Sequence, residues 1–384
     1  MQTSSKTDEA PPVESGRFTL VPAASRRATS VIRRKVIRRL GLISDQRFYL
    51  DSCMVAPRTD VERIGTFAPA VDVRFAIPAT GWCATHSFAP RFAYRLAGAT
   101  VDPVSNLVHD HKGDFLAESA SELPLRRLYD WPRPHLRLPK EVLRGEFIFL
   151  PSNPNMYHWL EDLSVFLHAA TIAPQATILV AGRPVRHSES WNQRRKEVLR
   201  RFHDRRITVI DRPTRVESLV MTGKTGGIGS PSGLQVLHPT DIETVRDHFS
   251  DWLSDPSDHG YYLSRRGYSR SPSDEPKLES MARDAGLRIL QPASLSMEEQ
   301  ARLFSGARAI VGLHGAALSN SIWLPTGARL VEFFSNTYMP FMYASMAAMR
   351  SLEYRHDAYQ ASPGNVMGEE FLERARSHLT DLGT

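Results

Sequence analysis

The sequence predicts an α/β protein made of two facing α/β halves, preceded by an irregular β-rich extension. From residue 145 onward, short apolar runs alternate with helical patterns, which is typical of parallel sheets covered by helices. The chain has 384 residues, more than one hydrophobic core usually holds. A stretch dense in glycine and serine, residues 222–233, divides the alternating part in two.

Composition limits the partners and the compartment. The net charge of +6, with a pI near 9.4, suits an anionic partner such as a nucleotide diphosphate, an anionic lipid or a nucleic acid, and charge alone does not choose among them. Cys53 and Cys83 are too few for a disulfide framework or a cysteine-based zinc site, which indicates a reducing compartment. No stretch approaches the 18 apolar residues of a membrane-spanning helix, and the N-terminus lacks an apolar signal core. A cytoplasmic protein is therefore expected.

The N-terminal segment, residues 1–44, is predicted to form its own unit. Residues 1–30 are rich in Ser, Thr, Pro and charge, and we expect them to be disordered. Residues 31–43 place Ile32, Val36, Ile37 and Leu40 on one helical face and four basic side chains on the other. Such a helix can lie on the inner face of an anionic membrane, or pack on the body with its basic face in solvent. The second interpretation is favoured, and the first stays open.

Residues 45–235 are predicted to form the first domain, an acceptor-side α/β half with a β-rich lead-in. Prolines interrupt residues 45–140 too often for long helices, and short β-like runs such as 71–76 occur between them. The alternating part then predicts strands at 146–150, 177–181, 207–210 and 216–221, and helices at 155–170 and 191–203. Residues 222–233 contain Gly-Lys-Thr at 223–225, but Ser218 stands where a P-loop has its first glycine, which favours a crossing between the halves over a phosphate loop.

Residues 236–362 are predicted to form the second domain, and residues 363–384 a closing helical segment. The pattern predicts strands at 259–264, 287–290, 307–313, 329–334 and 353–359, and helices at 241–253, 276–285, 297–304, 339–350 and 369–379. Two such halves leave a cleft between them.

The turn after the strand at 307–313 is the strongest candidate for an anion site. His314, Gly315 and Ala316 follow the strand directly, and side chains this small let an anion reach the free N–H groups of a helix start. Glu332 lies near the C-terminal end of the next strand. A carboxylate at that edge of a parallel sheet is well placed for a pair of ribose hydroxyls.

Two further clusters could carry chemistry. Arg265, Arg266 and Arg270 leave a strand of the same half, and guanidinium groups suit a diphosphate; a solvated basic loop is an equal alternative. His158 and Asp162 are four residues apart on one helix, so either could accept a proton from a hydroxyl nucleophile. Spacing alone favours an ordinary capped helix start for this second cluster.

Together these motifs resemble glycosyltransferase family 61. The resemblance rests on Tyr-His-Trp-Leu-x-Asp at 157–162, Tyr-Leu-Ser-Arg at 262–265, Val-Gly-Leu-His-Gly-Ala-Ala-Leu-Ser-Asn at 311–320, and Pro325 followed by Leu-Val-Glu at 330–332. It implies two facing Rossmann-like halves of the GT-B type, a nucleotide-sugar donor, a glycan or glycolipid acceptor, inversion at the anomeric carbon, and neither catalytic metal nor cofactor. By resemblance, Arg265, Arg270, His314, Gly315, Ala316 and Glu332 lie at the donor site, and His158 and Asp162 lie on the acceptor side. We expect Asp162 or His158 to be the catalytic base. Asp274 departs from the family, which often has Asn before the Glu.

The resemblance also implies work on bacterial surface or capsular polysaccharide. One alternative is a non-catalytic scaffold that binds a nucleotide sugar or a glycan without transferring it. A nucleic-acid binder would explain the arginines, but the sequence shows no interleaved aromatics or known recognition module, so no nucleic acid is expected. A serine hydrolase is excluded because no Gly-x-Ser-x-Gly elbow is present.

Overall fold

A computed structural model gives the structure of the chain. It describes residues 20–21, 61–76, 78, 83–88, 91–104, 106–111, 115–116, 139–153, 155–182, 189–223, 236–268, 271–360 and 365–383. The predicted basic helix at 31–43 and nearly all of the crossing at 222–233 lie outside these residues. In the described part, no helix is both long enough and apolar enough to cross a bilayer.

The first sheet joins the β-rich lead-in to the first half. The strands of this region are β1 (Leu20–Val21), β2 (Val61–Ala68), β3 (Val71–Ala76), β4 (Cys83–Phe88), β5 (Arg91–Ala97), β6 (Thr100–Asp102), β7 (Leu107–His109), β8 (Phe115–Leu116), β9 (Val142–Leu150), β10 (Thr177–Ala181), β11 (Ile207–Ile210) and β12 (Thr214–Thr222). Strands β3 and β4 form a separate hairpin, and the others form the first sheet. The order is β1-β8-β7-β6-β12-β9-β10-β11, with β5 pairing with both β12 and β2. Strands β12, β9, β10 and β11 pair in parallel, whereas β5 and β6 run antiparallel to β12. The lead-in strands therefore extend the first sheet.

The second sheet is wholly parallel. Its strands are β13 (Gly260–Leu263), β14 (Arg288–Leu290), β15 (Ala309–Leu313), β16 (Arg329–Ser335) and β17 (Glu353–Tyr359), in the order β14-β13-β15-β16-β17. By chain order this reads 2-1-3-4-5, so the strand order reverses between β13 and β15. Ligands of open parallel sheets bind at such a switch point, beyond the carboxyl ends of the strands.

Seven α-helices in the described residues accompany the sheets. They are α1 (Met156–Ile172), α2 (Glu189–Arg200), α3 (Pro239–His248), α4 (Glu275–Asp284), α5 (Met297–Ser305), α6 (Met342–Met349) and α7 (Glu369–Gly383). Helix α1 is buried on nearly every side and begins at Asn155, whose side chain accepts the Tyr157 N–H at 2.9 Å. The predicted mixed α/β class with parallel strands is thus confirmed, and the facing GT-B arrangement stays a prediction.

One hydrophobic cluster spans both halves. It includes Phe166 of α1 together with Phe249 and Trp323 from the second part of the chain. Helix α3 packs against α1, and Arg246 donates from Nη1 to the carbonyl oxygens of Ile322 at 2.7 Å and Trp323 at 2.8 Å. These contacts join α1, through α3, to the segment that follows β15.

Two predicted helices are corrected by the structure. The predicted α-helix after His314 is a 3-10 helix, Ala316–Ile322, whose backbone bonds include Leu318 N–H to Gly315 O at 3.0 Å. Asn320 donates from its side chain to Ala317 O at 3.0 Å, and such local side-chain bonds compete with an α-helical ladder. The predicted helix at 241–253 likewise ends early, at His248, before a 3-10 turn at Ser250–Trp252.

Candidate active site

The arginine and histidine motifs meet at the switch point of the second sheet. Arg265 follows β13 and His314 follows β15, and these are the two central strands between which the order reverses. The Arg265 guanidinium donates from Nη1 to the His314 carbonyl oxygen. Sequence reasoning placed both residues at one site, and the structure brings them into contact.

Gly315 is small because the Arg265 guanidinium lies against it. A Cβ added to Gly315 would stand 2.9 Å from Nη1 and 3.0 Å from Cζ of Arg265. The glycine backbone is extended, with φ at 168°, so conformational freedom is not what requires glycine here. Tyr343 of α6 donates from its hydroxyl to the Gly315 carbonyl oxygen at 2.8 Å, and the Ser319 hydroxyl lies 3.2 Å from the same phenol. Gly315 is thus held from two sides, while the neighbouring Ala316 keeps some exposure.

His314 is oriented by a buried carboxylate. Its Nδ1 lies 2.5 Å from Glu332 Oε1, and the Tyr354 hydroxyl donates to Glu332 Oε2 at 2.7 Å. The imidazole also stacks on Phe334, with 5.4 Å between ring centroids. Burial raises the pKa of Glu332, and the two hydrogen bonds act in the opposite direction. The ring is therefore fixed on its Nδ1 side, and Nε2 is the atom that can face a ligand.

This geometry speaks against the predicted contact of Glu332 with a ribose. The side chain has 0% exposure, and each of its two oxygens already has a hydrogen-bond partner within the protein. A carboxylate in that state holds neighbouring side chains rather than a ligand hydroxyl. Glu332 pairs with Gly312 of β15, and its side chain reaches His314 and Tyr354.

Two buried carboxylates of α4 anchor the arginine loop. Glu275 Oε1 accepts the Arg265 N–H at 2.7 Å and the Tyr262 hydroxyl at 3.2 Å. Glu279 accepts Arg266 Nη2 at 2.5 Å, so Arg266 is neutralised within the loop. Arg270 lies outside the described residues. Of the three predicted arginines, Arg265 is the one that the structure places at the His314 turn.

The side chain of Asp274, which differs from the family pattern, has a hydrogen-bond partner in the structure. Its carboxylate accepts the backbone N–H of Met367, with N···O distances of 3.0 and 3.2 Å to its two oxygens. This bond ties the start of α4 to the segment that leads into α7. The acidic side chain therefore joins two segments of the second half.

The predicted acceptor-side residues lie on α1. His158 and Asp162 are both buried, with exposed fractions of 5% and 0%. The ring of Tyr157 packs edge-on against His158 at 5.8 Å and against Tyr343 at 5.7 Å between centroids. Tyr343 in turn lies 5.6 Å from the His314 ring. A continuous run of rings therefore connects the α1 motif with the His314 turn.

Sequence reasoning missed the tyrosines that hold this site. Tyr343 lies in a predicted helix and Tyr354 in a predicted strand, but single aromatic residues in apolar elements are usually core residues. Among the described residues, no group of three or more His, Cys, Asp or Glu side chains could hold a metal ion.

Together, the parallel sheet and the basic, hydrogen-bonded turn at its switch point are typical of a nucleotide-binding α/β enzyme. The family model for glycosyltransferase 61 matches residues 156–331, from the first residue of α1 into β16. The match supports a glycosyltransferase of family 61 and includes both the α1 motif and the His314 turn. A comparison with curated proteins gives no match.

Proposed function

We propose that the protein is an inverting glycosyltransferase that moves a sugar from a nucleotide-diphosphate donor to a hydroxyl of a glycan or glycolipid. The observation that carries the proposal is the contact between Arg265 and the His314 turn at the switch point of the parallel sheet. The family match supports the reaction class. The acceptor belongs to a surface or capsular polysaccharide, and the transfer takes place on the cytoplasmic side.

The diphosphate binds at the His314 turn without a metal ion or other cofactor. Arg265 supplies a fixed positive charge, and the backbone N–H groups of Gly315 and Ala316 supply short-range donors. Negative charge grows on the leaving phosphate as the bond to the anomeric carbon breaks. Donors that are already in place stabilise that charge more than they stabilise the ground state, which lowers the barrier.

Glu332 positions His314 instead of binding the ribose. A carboxylate on Nδ1 fixes the orientation of an imidazole, as carboxylates hydrogen-bonded to metal-ligating histidines do. The His314 Nε2 then contacts the diphosphate from a set direction. Tyr354 holds the other carboxylate oxygen and keeps Glu332 from rotating.

The acceptor hydroxyl attacks the opposite face of the sugar, and Asp162 or His158 takes its proton. Both residues remain candidates: a carboxylate is the commoner type of base for this reaction, and the histidine is the stronger residue of the shared motif. Asp162→Asn and His158→Ala separate the two. We expect the variant of the true base to lose transfer by at least about 100-fold while donor affinity stays close to the wild-type value. Near-normal turnover in both variants would show that the catalytic base is not a residue of α1.

Thermal unfolding with UDP, GDP, ADP and CDP tests donor binding directly. A ligand that binds only the folded state stabilises it by about 2.7 kcal/mol at 100 times its Kd. We expect one of these nucleotides to raise the melting temperature, and Arg265→Met to reduce that rise. If none of the four raises it, the proposed function fails. A nucleotide that binds while its sugar derivative is neither transferred nor hydrolysed indicates the non-catalytic scaffold.

A further inference from the structure

Tyr338 is an exposed aromatic residue in direct contact with the His314 turn. Its exposed fraction is 52%, and it belongs to the segment that follows β16 at the carboxyl end of the parallel sheet. Its ring lies 5.3 Å from the His314 ring between centroids, at an angle of 68° between the ring planes. Single exposed aromatic residues are common on protein surfaces and need no explanation. This one, however, touches the histidine to which the proposed function assigns the diphosphate.

The other two rings that pack on His314 are buried. Phe334 stacks on the imidazole at 5.4 Å, and Tyr343 lies 5.6 Å from it between centroids. Their exposed fractions are 0% and 1%. Among the described rings of this cluster, Tyr338 is therefore the one that a ligand can reach from solvent. Because the imidazole stands at a steep angle to the phenol ring, it covers at most one face of that ring and leaves the other for stacking.

The segment that carries Tyr338 is held at both ends. The Tyr338 N–H donates to the Ser335 carbonyl oxygen at 3.0 Å, and the two residues form an antiparallel bridge that closes a tight turn. Inside the turn, the Asn336 N–H donates at 2.9 Å to the carbonyl oxygen of the last residue of β17. Beyond the turn, Phe341 stacks on Phe75 of β3 with 5.2 Å between centroids. A ring presented from such an ordered turn loses little freedom when a ligand stacks on it.

We propose that Tyr338 is the stacking surface for the nucleobase of the donor. This inference rests on the proposed function, in which His314 contacts the diphosphate. In a nucleoside diphosphate only the ribose separates the base from the phosphates, so the base has to lie close to the turn that holds them. An aromatic ring suits this place because every nucleobase has a π-face that can stack on it. Stacking does not read the edge of the base, so Tyr338 contributes affinity for nucleotides without selecting one of them.

The transferred sugar is the other part of the donor that an aromatic ring could hold. The proposed catalytic bases lie on α1, which is connected to His314 through the rings of Tyr157 and Tyr343. The anomeric carbon has to be reached from α1, whereas Tyr338 is carried by the second half together with the His314 turn. The nucleobase lies at the end of the diphosphate away from the anomeric carbon. We therefore assign the nucleobase, and not the sugar, to Tyr338.

Calorimetry of Tyr338→Ala with two ligands tests the inference. We expect the affinity for the best-binding nucleoside diphosphate to fall roughly 5- to 100-fold, the range expected for the loss of one stacked base. The affinity for inorganic pyrophosphate should stay within about twofold of the wild-type value, because pyrophosphate has no base to stack. Tyr338→Phe keeps the ring and should bind the nucleotide as the wild type does. If Tyr338→Ala does not fold, Tyr338→Leu replaces it, since leucine keeps apolar volume at this position without a π-face.

Tyr268→Ala is the matched control. Tyr268 is a tyrosine of nearly equal exposure, 51%, and it also lies in a turn beyond a strand of the second sheet, where its N–H donates to the Arg265 carbonyl oxygen at 3.0 Å. Unlike Tyr338, it is not among the described rings that pack on His314. Its replacement should leave the affinities for nucleotide and pyrophosphate unchanged.

The outcomes separate this inference from the proposed function. Wild-type nucleotide affinity in a folded Tyr338→Ala protein overturns the inference, and the proposed function stands if Arg265→Met still weakens binding. Equal losses for nucleotide and pyrophosphate also overturn it, because Tyr338 would then act through His314 and not on the base. A loss in Tyr268→Ala that exceeds the loss in Tyr338→Ala assigns the base to the arginine loop instead. A wild-type protein that binds no nucleotide overturns both proposals.

Discussion

Gly315→Ala is the sharpest steric test of the proposed donor site. The added Cβ would lie 2.9 Å from Nη1, 3.0 Å from Cζ and 3.2 Å from Nε of Arg265. Because carbon and nitrogen atoms normally approach to about 3.5 Å, the guanidinium must retreat by roughly 0.5–1 Å. The extended backbone at this position accepts alanine, and the displaced group is the end of a flexible side chain. Folding should therefore be little affected.

The cost is expected in catalysis. A misplacement of about 1 Å in a positioning group can cost on the order of 100-fold in rate, or about 2.7 kcal/mol. We expect kcat/KM for sugar transfer to fall by about that factor and the melting temperature to change by less than about 2 °C. Gly182→Ala is the control, because its Cβ would stand 2.8 Å from the Val209 Cγ1, also a side-chain end, in the first sheet. Equal activity of the two variants would refute the role assigned to Arg265.

Three further predictions concern two largely buried histidines, His168 of α1 and His238 at the start of α3, and three groups that hold the site. Burial lowers the pKa of His168 and of His238 from 6.5 to about 4, so both stay neutral in the folded state while the unfolded chain protonates below pH 6.5. The free energy of unfolding should therefore decline as pH falls from 6.5 towards 4, by on the order of 1–2 kcal/mol per histidine at pH 5. Urea unfolding measured across this pH range should show a steeper decline for the wild type than for His168→Gln. Tyr343→Phe removes the donor to the Gly315 turn, so nucleotide Kd should rise roughly fivefold to tenfold in calorimetry; an unchanged Kd would contradict its positioning role. Glu332→Gln should lower kcat more than Tyr354→Phe does and should change the pH profile of kcat, and matching profiles for the three proteins would show that Glu332 does not act on His314.

The sequence predicted most strands of the parallel regions, and the reason is burial. Strands β10, β11 and β17 have the predicted bounds, 177–181, 207–210 and 353–359. In β10 the pattern is a short β-branched and aliphatic run bounded by polar or small residues, which few other conformations can bury. The sheet orders were beyond this reasoning, since pairing depends on contacts between distant segments. The switch point beside Arg265 and His314 could therefore be recognised only in the three-dimensional structure.

Besides the sheet order, the sequence pattern could not predict the direction in which side chains point. The sequence predicts Glu332 near the C-terminal end of its strand, whereas it is the middle residue of β16 (Arg329–Ser335), and alternation along this strand is hidden because it is apolar on both faces. The interpretation as a ribose contact required the side chain to point outward.

Three buried carboxylates, Glu275, Glu279 and Glu332, lie beneath the two basic turns, and each is satisfied by groups of the turns themselves or by neighbouring hydroxyls. Such a carboxylate resists movement, because breaking one of its hydrogen bonds leaves an uncompensated buried charge. The positions of Arg265 and His314 are consequently set before a ligand arrives. A site whose donors are already ordered gains little from further ordering in the transition state, so the stabilisation of a leaving phosphate is available without reorganisation. Replacing any one of these three carboxylates should therefore lower kcat for transfer more than it lowers the stability of the fold.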